Sequence, residues 1–141
     1  MNTIDYATAC IEDFYIEGNT DYLSVKWLMG SIEYSQDDVS YGKRPMKIIE
    51  QTLKLLFFLV GSNDFTPCKN VYYDEKGIHF IECENFEEFE LLIRTAFEKD
   101  GLNSELFMNS YVLNKRFLGK SAPLESEIPP EIVDLFQHVS E

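Results

Sequence analysis

The sequence predicts a predominantly helical α+β domain with about five helices and one small β-hairpin. Apolar residues recur at helical spacing through most of the chain, whereas residues 71–83 combine a β-rich composition with a glycine suited to a hairpin turn. The 141 residues, 45% of them hydrophobic and 14% aromatic, are enough to bury an independent core. We therefore expect a single globular domain spanning residues 1–141.

Two helices are predicted in the N-terminal third. The first apolar stripe consists of Ile4, Ala7, Ile11 and Phe14. Gly18 follows this stripe and is a typical helix stop. The second stripe consists of Val25, Leu28, Met29 and Ile32. Thr20 or Asp21 is its predicted N-cap, and the helix is expected to end near Tyr34, before the polar stretch SQDDVSYGKR.

A third helix is predicted from Pro45, which suits the first helical position, to Gly61. Its core stripe consists of Ile49, Leu53, Leu56 and Val60. Because residues 55–60 are apolar on every face, we expect the second half of this helix to be enclosed on all sides at the centre of the core.

The rest of the chain predicts a hairpin and shorter helices. Gly77 provides the turn of the hairpin, and Asn85 with Glu88 has capping-box spacing for a fourth helix that ends at Gly101. The core residues expected on this helix are Leu92, Ile93 and Phe97. SELFMNSYVLNKRFLG fits either a short helix capped by Ser104 or a strand, and PPEIVDLFQHVS predicts a last amphipathic helix.

Charge and cysteine usage limit the possible partners and compartment. The net charge of −13 disfavours nucleic acids and anionic membranes and favours basic protein partners, although acidity could also serve solubility alone. Three cysteines without a CxxC pair suit reduced thiols in the cytoplasm. The acidic N-terminal stretch lacks a signal-peptide pattern, and the longest apolar run is too short to cross a membrane.

Motifs for catalysis are missing from the sequence. It has two histidines, His79 and His138, and it lacks GxSxG and a glycine-rich phosphate loop. A nucleophilic pair of Cys68 and His79 stays open as an alternative, but buried cysteines more commonly serve packing. We therefore assign no catalytic residue, no metal site and no cofactor, and we expect a binding protein rather than an enzyme.

Acidic clusters with interleaved aromatic residues are the candidate binding sites. The stretch ECENFEEFE contains Glu82, Glu84, Glu87 and Glu90. The other candidates are Asp37, Asp38 and Tyr41 after the second helix, and Asp74 and Glu75 at the hairpin turn beside Tyr72 and Tyr73. The alternative is structural: carboxylates stabilise a helix start, and the tyrosines could turn into the core.

Three segments resemble small bacterial immunity proteins of contact-dependent growth inhibition and related polymorphic toxin systems. They are YLSVKWLMGSIE, KIIEQTLKLLFFLVGSNDF and ENFEEFELLIRTAFEKDGL, which lie between residues 22 and 102. The resemblance implies a cytoplasmic, non-enzymatic protein that neutralises the C-terminal toxin domain of a cognate effector, often a nuclease. An acidic surface suits a basic partner of that kind. An acidic adaptor for another basic protein is the alternative.

Overall fold

The computed structural model describes residues 3–35 and 45–136, which form six α-helices and four β-strands. The helices are α1 (Thr3–Glu17), α2 (Val25–Ser35), α3 (Pro45–Gly61), α4 (Phe86–Asp100), α5 (Leu106–Asn109) and α6 (Pro130–Val133). The strands are β1 (Leu23–Ser24), β2 (Phe65–Asp74), β3 (Gly77–Glu82) and β4 (Val112–Lys115). The predicted α+β class is confirmed. No helix within these two ranges is both long and apolar enough to cross a membrane.

The strands form one antiparallel sheet in the order β1-β4-β2-β3. Strand β2 is its longest member, pairing with β4 through residues 65–68 and with β3 through residues 68–74. The predicted hairpin is confirmed, with Gly77 at a φ of 115° directly after its turn. The sequence did not predict the pairing of β1 with β4, because a two-residue strand has no periodicity of its own.

Helix ends follow the predicted capping at some positions and not at others. Asn85 caps α4 by accepting a 2.9 Å hydrogen bond from the Glu88 amide. The Glu88 carboxylate accepts from the Glu84 amide, one position before the expected one. Helix α2 is capped by Ser24, whose hydroxyl accepts from the Trp27 amide at 3.1 Å. The prediction of Thr20 or Asp21 was wrong because β1 precedes the helix.

All six helices and three strands contribute buried side chains to one hydrophobic cluster, whereas no β3 side chain is buried. The predicted core residues that are buried are Ile49, Leu53, Leu56 and Ile93. Three others, Val60, Leu92 and Phe97, are partly buried and pack against this cluster. The expectation that α3 is enclosed on all faces was wrong, since Phe57 is 60% exposed.

A buried lysine completes the C-terminal end of α1. Lys115, only 4% exposed, donates hydrogen bonds to the Tyr15 carbonyl at 2.8 Å, and to Asn19 Oδ1 and the Lys120 carbonyl at 2.7 Å. These three bonds use every ammonium hydrogen. The last turn of α1 contains no basic residue, so β4 brings the cation that complements the helix dipole. Burial lowers the pKa of Lys115.

Asp64 lies beside this lysine and is 5% exposed. Its carboxylate accepts hydrogen bonds from the Tyr15 hydroxyl and from the Lys120 ammonium. Burial by itself would raise the pKa of Asp64, but these two donors outweigh it, and the pKa is lowered. The carboxylate therefore stabilises the fold in its charged form.

We expect Asp64→Asn to reduce the dependence of stability on acid pH. A carboxylate with a lowered pKa in the folded state contributes stability above its unfolded pKa of about 3.9 and loses that contribution as pH falls through its folded pKa. Urea unfolding of both proteins between pH 7 and pH 2 measures the difference. The wild type should lose more stability over this range than the variant. Parallel profiles would contradict the assigned role of Asp64.

Candidate functional site: an aromatic groove with an acidic rim

An open groove of about 750 Å³ lies between α3 and α4 and reaches the start of α6. We call it the α3–α4 groove. Helix α4 contributes Phe86, Glu90 and Arg94, which are spaced four residues apart and share one face. Because Phe57 contacts Phe86 and Glu50 contacts Arg94, the two helices line the groove in antiparallel directions. One end of the groove is therefore aromatic and the other is charged.

The aromatic end consists of Phe57 and Phe86. Their rings meet edge to face with centroids 5.2 Å apart, and Phe86 contacts the buried Phe89 in the same manner at 6.2 Å. Phe57 exposes 60% of its surface although Leu55 and Leu56 beside it are fully buried. Exposed aromatic side chains backed by a rigid core are typical binding anchors, because burying them releases much apolar surface from water.

The charged end is organised by Arg94. Its guanidinium donates to both carboxylate oxygens of Glu50 and, through Nε at 2.9 Å, to Glu90. The hydrogen bond from Arg94 lowers the pKa of Glu50, and the two carboxylates raise that of Arg94. Glu90 is four residues from Arg94 on the same helix, whereas Glu50 lies 44 residues away in sequence and was not predicted to pair with it. The three residues together leave one excess negative charge.

The remaining rim is of mixed charge. Lys54 lines the groove from α3, and Glu131 lines it from α6, where it is exposed. The apolar floor between them includes Leu53 and Ile132, both buried. A partner entering the groove would therefore meet an apolar floor and a rim in which carboxylates outnumber cations.

The predicted acidic run divides into paired and unpaired members. Glu90 lies in the groove and is paired with Arg94, whereas Glu82, Glu84 and Glu87 are exposed and form no ion pair with any residue in the described ranges. Glu88, between them, is held by Lys69 at 2.8 Å and by the Glu84 amide. Glu84 and Glu87 lie within two residues of Phe86 in sequence, but neither side chain lines the groove itself.

The second acidic cluster is distant from the first along the hairpin. Glu82 lies seven positions after Glu75 in sequence, which corresponds to at most roughly 23 Å of extended chain. Asp74 accepts from the Lys76 amide and lies 2.7 Å from His79 Nε2. The alternative that the tyrosines turn into the core was wrong, since Tyr72 and Tyr73 are both exposed. The third cluster, Asp37, Asp38 and Tyr41, lies outside the described residues.

The two residues considered as a nucleophilic pair are separated by the strand register. Cys68 is opposite Glu82, whereas His79 is opposite Tyr72 and stacks on its ring at 4.9 Å. Burial raises the pKa of the Cys68 thiol to about 12, so the thiol is protonated at neutral pH. Among residues 3–35 and 45–136, no three or more His, Cys, Asp or Glu side chains are arranged to hold a metal ion.

Known proteins provide no assignment for this groove. Comparison of the chain with protein-family models, with curated proteins and with solved structures found no match. The side chains that the fold leaves accessible in and beside the groove define what it can bind. These are the aromatic pair Phe57 and Phe86 and the unpaired carboxylates of Glu84 and Glu87.

Proposed function

We propose that this protein is a cytoplasmic, non-enzymatic immunity protein that binds and neutralises a basic toxin domain. The observation that carries the proposal is the exposed Phe57 in edge-to-face contact with the half-buried Phe86 in the α3–α4 groove. The net charge of −13 and the segments that resemble immunity proteins support it. The groove is the proposed centre of the interface, and the acidic residues around it form the proposed rim.

The aromatic pair would supply affinity. Burying the exposed part of a phenylalanine side chain contributes about 1–2 kcal/mol, and central aromatic anchors are common hot spots in protein interfaces. Phe57 needs little reorganisation to serve as an anchor, because it extends from a helix whose adjacent residues are fixed in the core.

The unpaired carboxylates would increase the association rate and the specificity for a basic partner. Nuclease toxins tend to be basic because their substrates are polyanions, and a surface of opposite charge accelerates their encounter. Glu84 and Glu87 form no ion pair within the described residues, although Lys69, which is paired with Glu88, also interacts electrostatically with Glu84. Both carboxylates are exposed and can attract a basic partner.

Rescue of growth is the direct test of the proposal. If a large secreted toxin is encoded immediately upstream of this gene, its C-terminal domain should arrest growth when expressed alone, and coexpression of this protein should restore growth. The purified pair should also form a complex with a defined stoichiometry. Absence of such a toxin gene, or failure to rescue, would contradict immunity. Binding to a basic protein without rescue would instead favour the adaptor function.

We expect Phe57→Ala to weaken binding to the toxin domain by tenfold or more, since truncating a central hot-spot aromatic costs about 2 kcal/mol. Leu91→Ala is the matched control: Leu91 is 66% exposed on α4 but does not line the groove. Titration calorimetry with both variants measures the difference. Equal loss of affinity in the two variants, or none in either, would exclude the groove as the centre of the interface.

Charge reversal at Glu84 and Glu87 should slow association several-fold at low salt. We choose these positions because reversing Glu90 would break its pair with Arg94 and disturb the groove itself. Glu12→Lys with Glu105→Lys makes the same change in net charge elsewhere on the surface. Stopped-flow rates should differ between the two double variants, and the difference should narrow as ionic strength rises. Identical association rates would mean that Glu84 and Glu87 do not attract the partner and are only solvated residues at the start of α4.

A further inference from the structure

Strand β3 is an open edge of the sheet. It pairs with β2 on one side, and no strand in the described parts of the chain pairs with its other side. The opposite edge of the sheet, β1, has only two residues, whereas β3 has six. A long edge strand presents a row of backbone groups that can pair with another chain. Strand β3 thus provides an open edge of six residues.

The register defines which backbone groups point outward. Glu75 and Lys76 form a two-residue turn, so Asp74 and Gly77 are a hydrogen-bonded pair. Hydrogen-bonded pairs alternate along an antiparallel ladder, so Gly77, His79 and Ile81 bond to β2. The N–H and C=O groups of Ile78 and Phe80 consequently point toward the open edge.

The usual protection of an edge strand is missing from β3. It contains neither proline nor lysine, and the irregularity in the ladder lies on β2, between Cys68 and Asn70. Two of its apolar side chains, Ile78 and Ile81, are 41% and 42% exposed. On the adjacent strand, Tyr72 and Tyr73 add exposed aromatic surface to the two faces.

The hairpin is nevertheless firmly held. Phe80 meets the ring of Tyr22 at a centroid distance of 6.0 Å, and the hydrogen bond with Tyr73 raises the pKa of Tyr22. On the other face, His79 stacks on Tyr72 and contacts Asp74. These contacts leave the backbone edge uncovered while ordering the strand, so little conformational entropy would be lost on pairing.

Charge selects the occupant of this edge. Residues 74–84 carry the four carboxylates of Asp74, Glu75, Glu82 and Glu84 against the single ammonium of Lys76, and the carboxylates lie at both ends of the strand. A second copy of the chain would bring the same negative ends and its own net charge of −13. An extended segment with basic residues is attracted to both ends and meets apolar side chains between them.

We propose that β3 binds an extended basic segment of a partner protein by strand addition, with the backbone of Ile78 and Phe80 as the pairing groups. Main-chain hydrogen bonds would hold the segment. Its apolar residues, alternating with lysines or arginines, would pack on one face of the sheet beside Ile78 and Phe80. This surface is separate from the α3–α4 groove, and the proposal holds whether or not the groove binds a toxin domain.

Amide exchange tests the proposal with two synthetic peptides. The probe is a nine-residue peptide in which lysine alternates with valine, and the matched control alternates glutamate with valine. NMR-detected hydrogen exchange is followed in the full chain at saturating peptide. We expect the basic peptide to slow exchange of the Ile78 and Phe80 amides by tenfold or more, and the acidic peptide to leave both unchanged.

Two variants separate strand addition from other binding. Ile78→Pro removes an outward N–H and keeps the hydrogen bonds of Gly77 and His79 to β2, so it should abolish the protection at Phe80. Ile78→Lys keeps the backbone donor and serves as the second variant if proline disrupts the hairpin. It should require at least tenfold more basic peptide to reach the same protection of the Phe80 amide. Unchanged exchange, equal protection by both peptides, or protection that grows with protein concentration alone would each overturn the proposal.

Discussion

Leu56→Ala is expected to lower the free energy of unfolding by about 2–5 kcal/mol. Leu56 is a fully buried residue of α3. Leu53, Leu55 and Leu59 on the same helix are also buried in the core. Truncation removes buried apolar atoms and leaves a cavity that surrounding helices fill only in part. Urea or thermal unfolding followed by circular dichroism measures the loss. A change below about 1 kcal/mol would contradict the central position of α3.

The adjacent residue provides the control. Phe57→Ala removes a larger side chain, but one that is 60% exposed, so its effect on stability should be clearly smaller. The two variants thus dissociate folding from binding: Leu56→Ala should mainly destabilise, whereas Phe57→Ala should mainly weaken the proposed interface. Equal destabilisation by both would mean that the groove is closed in solution.

Lys115→Met is the second change with a large expected effect, a loss of about 1–3 kcal/mol. Methionine preserves most of the apolar stem but leaves the buried carbonyl of Tyr15 without a donor, and the Lys120 carbonyl loses its hydrogen bond from Lys115. An unsatisfied buried acceptor costs about 1–3 kcal/mol, and the relief from desolvating an ammonium offsets part of that cost.

Arg116→Met is the control for Lys115→Met. Arg116 is the next residue along the chain, but it is exposed and donates a single side-chain hydrogen bond, to Thr66 at 3.1 Å. Its replacement should change stability by no more than about 0.5 kcal/mol. Comparable losses of unfolding free energy in both variants would show that the buried hydrogen bonds of Lys115 do not contribute specifically to stability.

The helical part of the fold could be predicted because its signals are local. The stripe on α3, proline at its start and Asn85 before α4 each depend on residues within one or two turns. The sheet could not be predicted fully, because β1 exists only through its pairing with β4, about 90 residues later. Strand β4 was left open between helix and strand, and the segment forms both in succession.

The candidate site was predicted only in its charge. The sequence placed acidic residues near the start of α4, and the structure confirms that Glu84 and Glu87 are exposed there. It did not predict that Glu90 lines a groove, nor that Phe57 stays exposed, because both facts depend on which neighbours α3 and α4 acquire. A continuous apolar run indicated burial, yet one position of that run faces solvent and defines the groove.

The lysine that completes α1 has a consequence for the order of folding. Lys115 lies 100 residues after Tyr15, whose carbonyl it binds, and closing a chain segment of that length costs on the order of 4 kcal/mol of entropy. During synthesis the N-terminal helix emerges first, but its final turn must wait for a strand made near the end of translation. In nascent chains truncated before residue 115, that turn should therefore be frayed and open to proteases. The first helix is completed only when the last quarter of the chain has been synthesised.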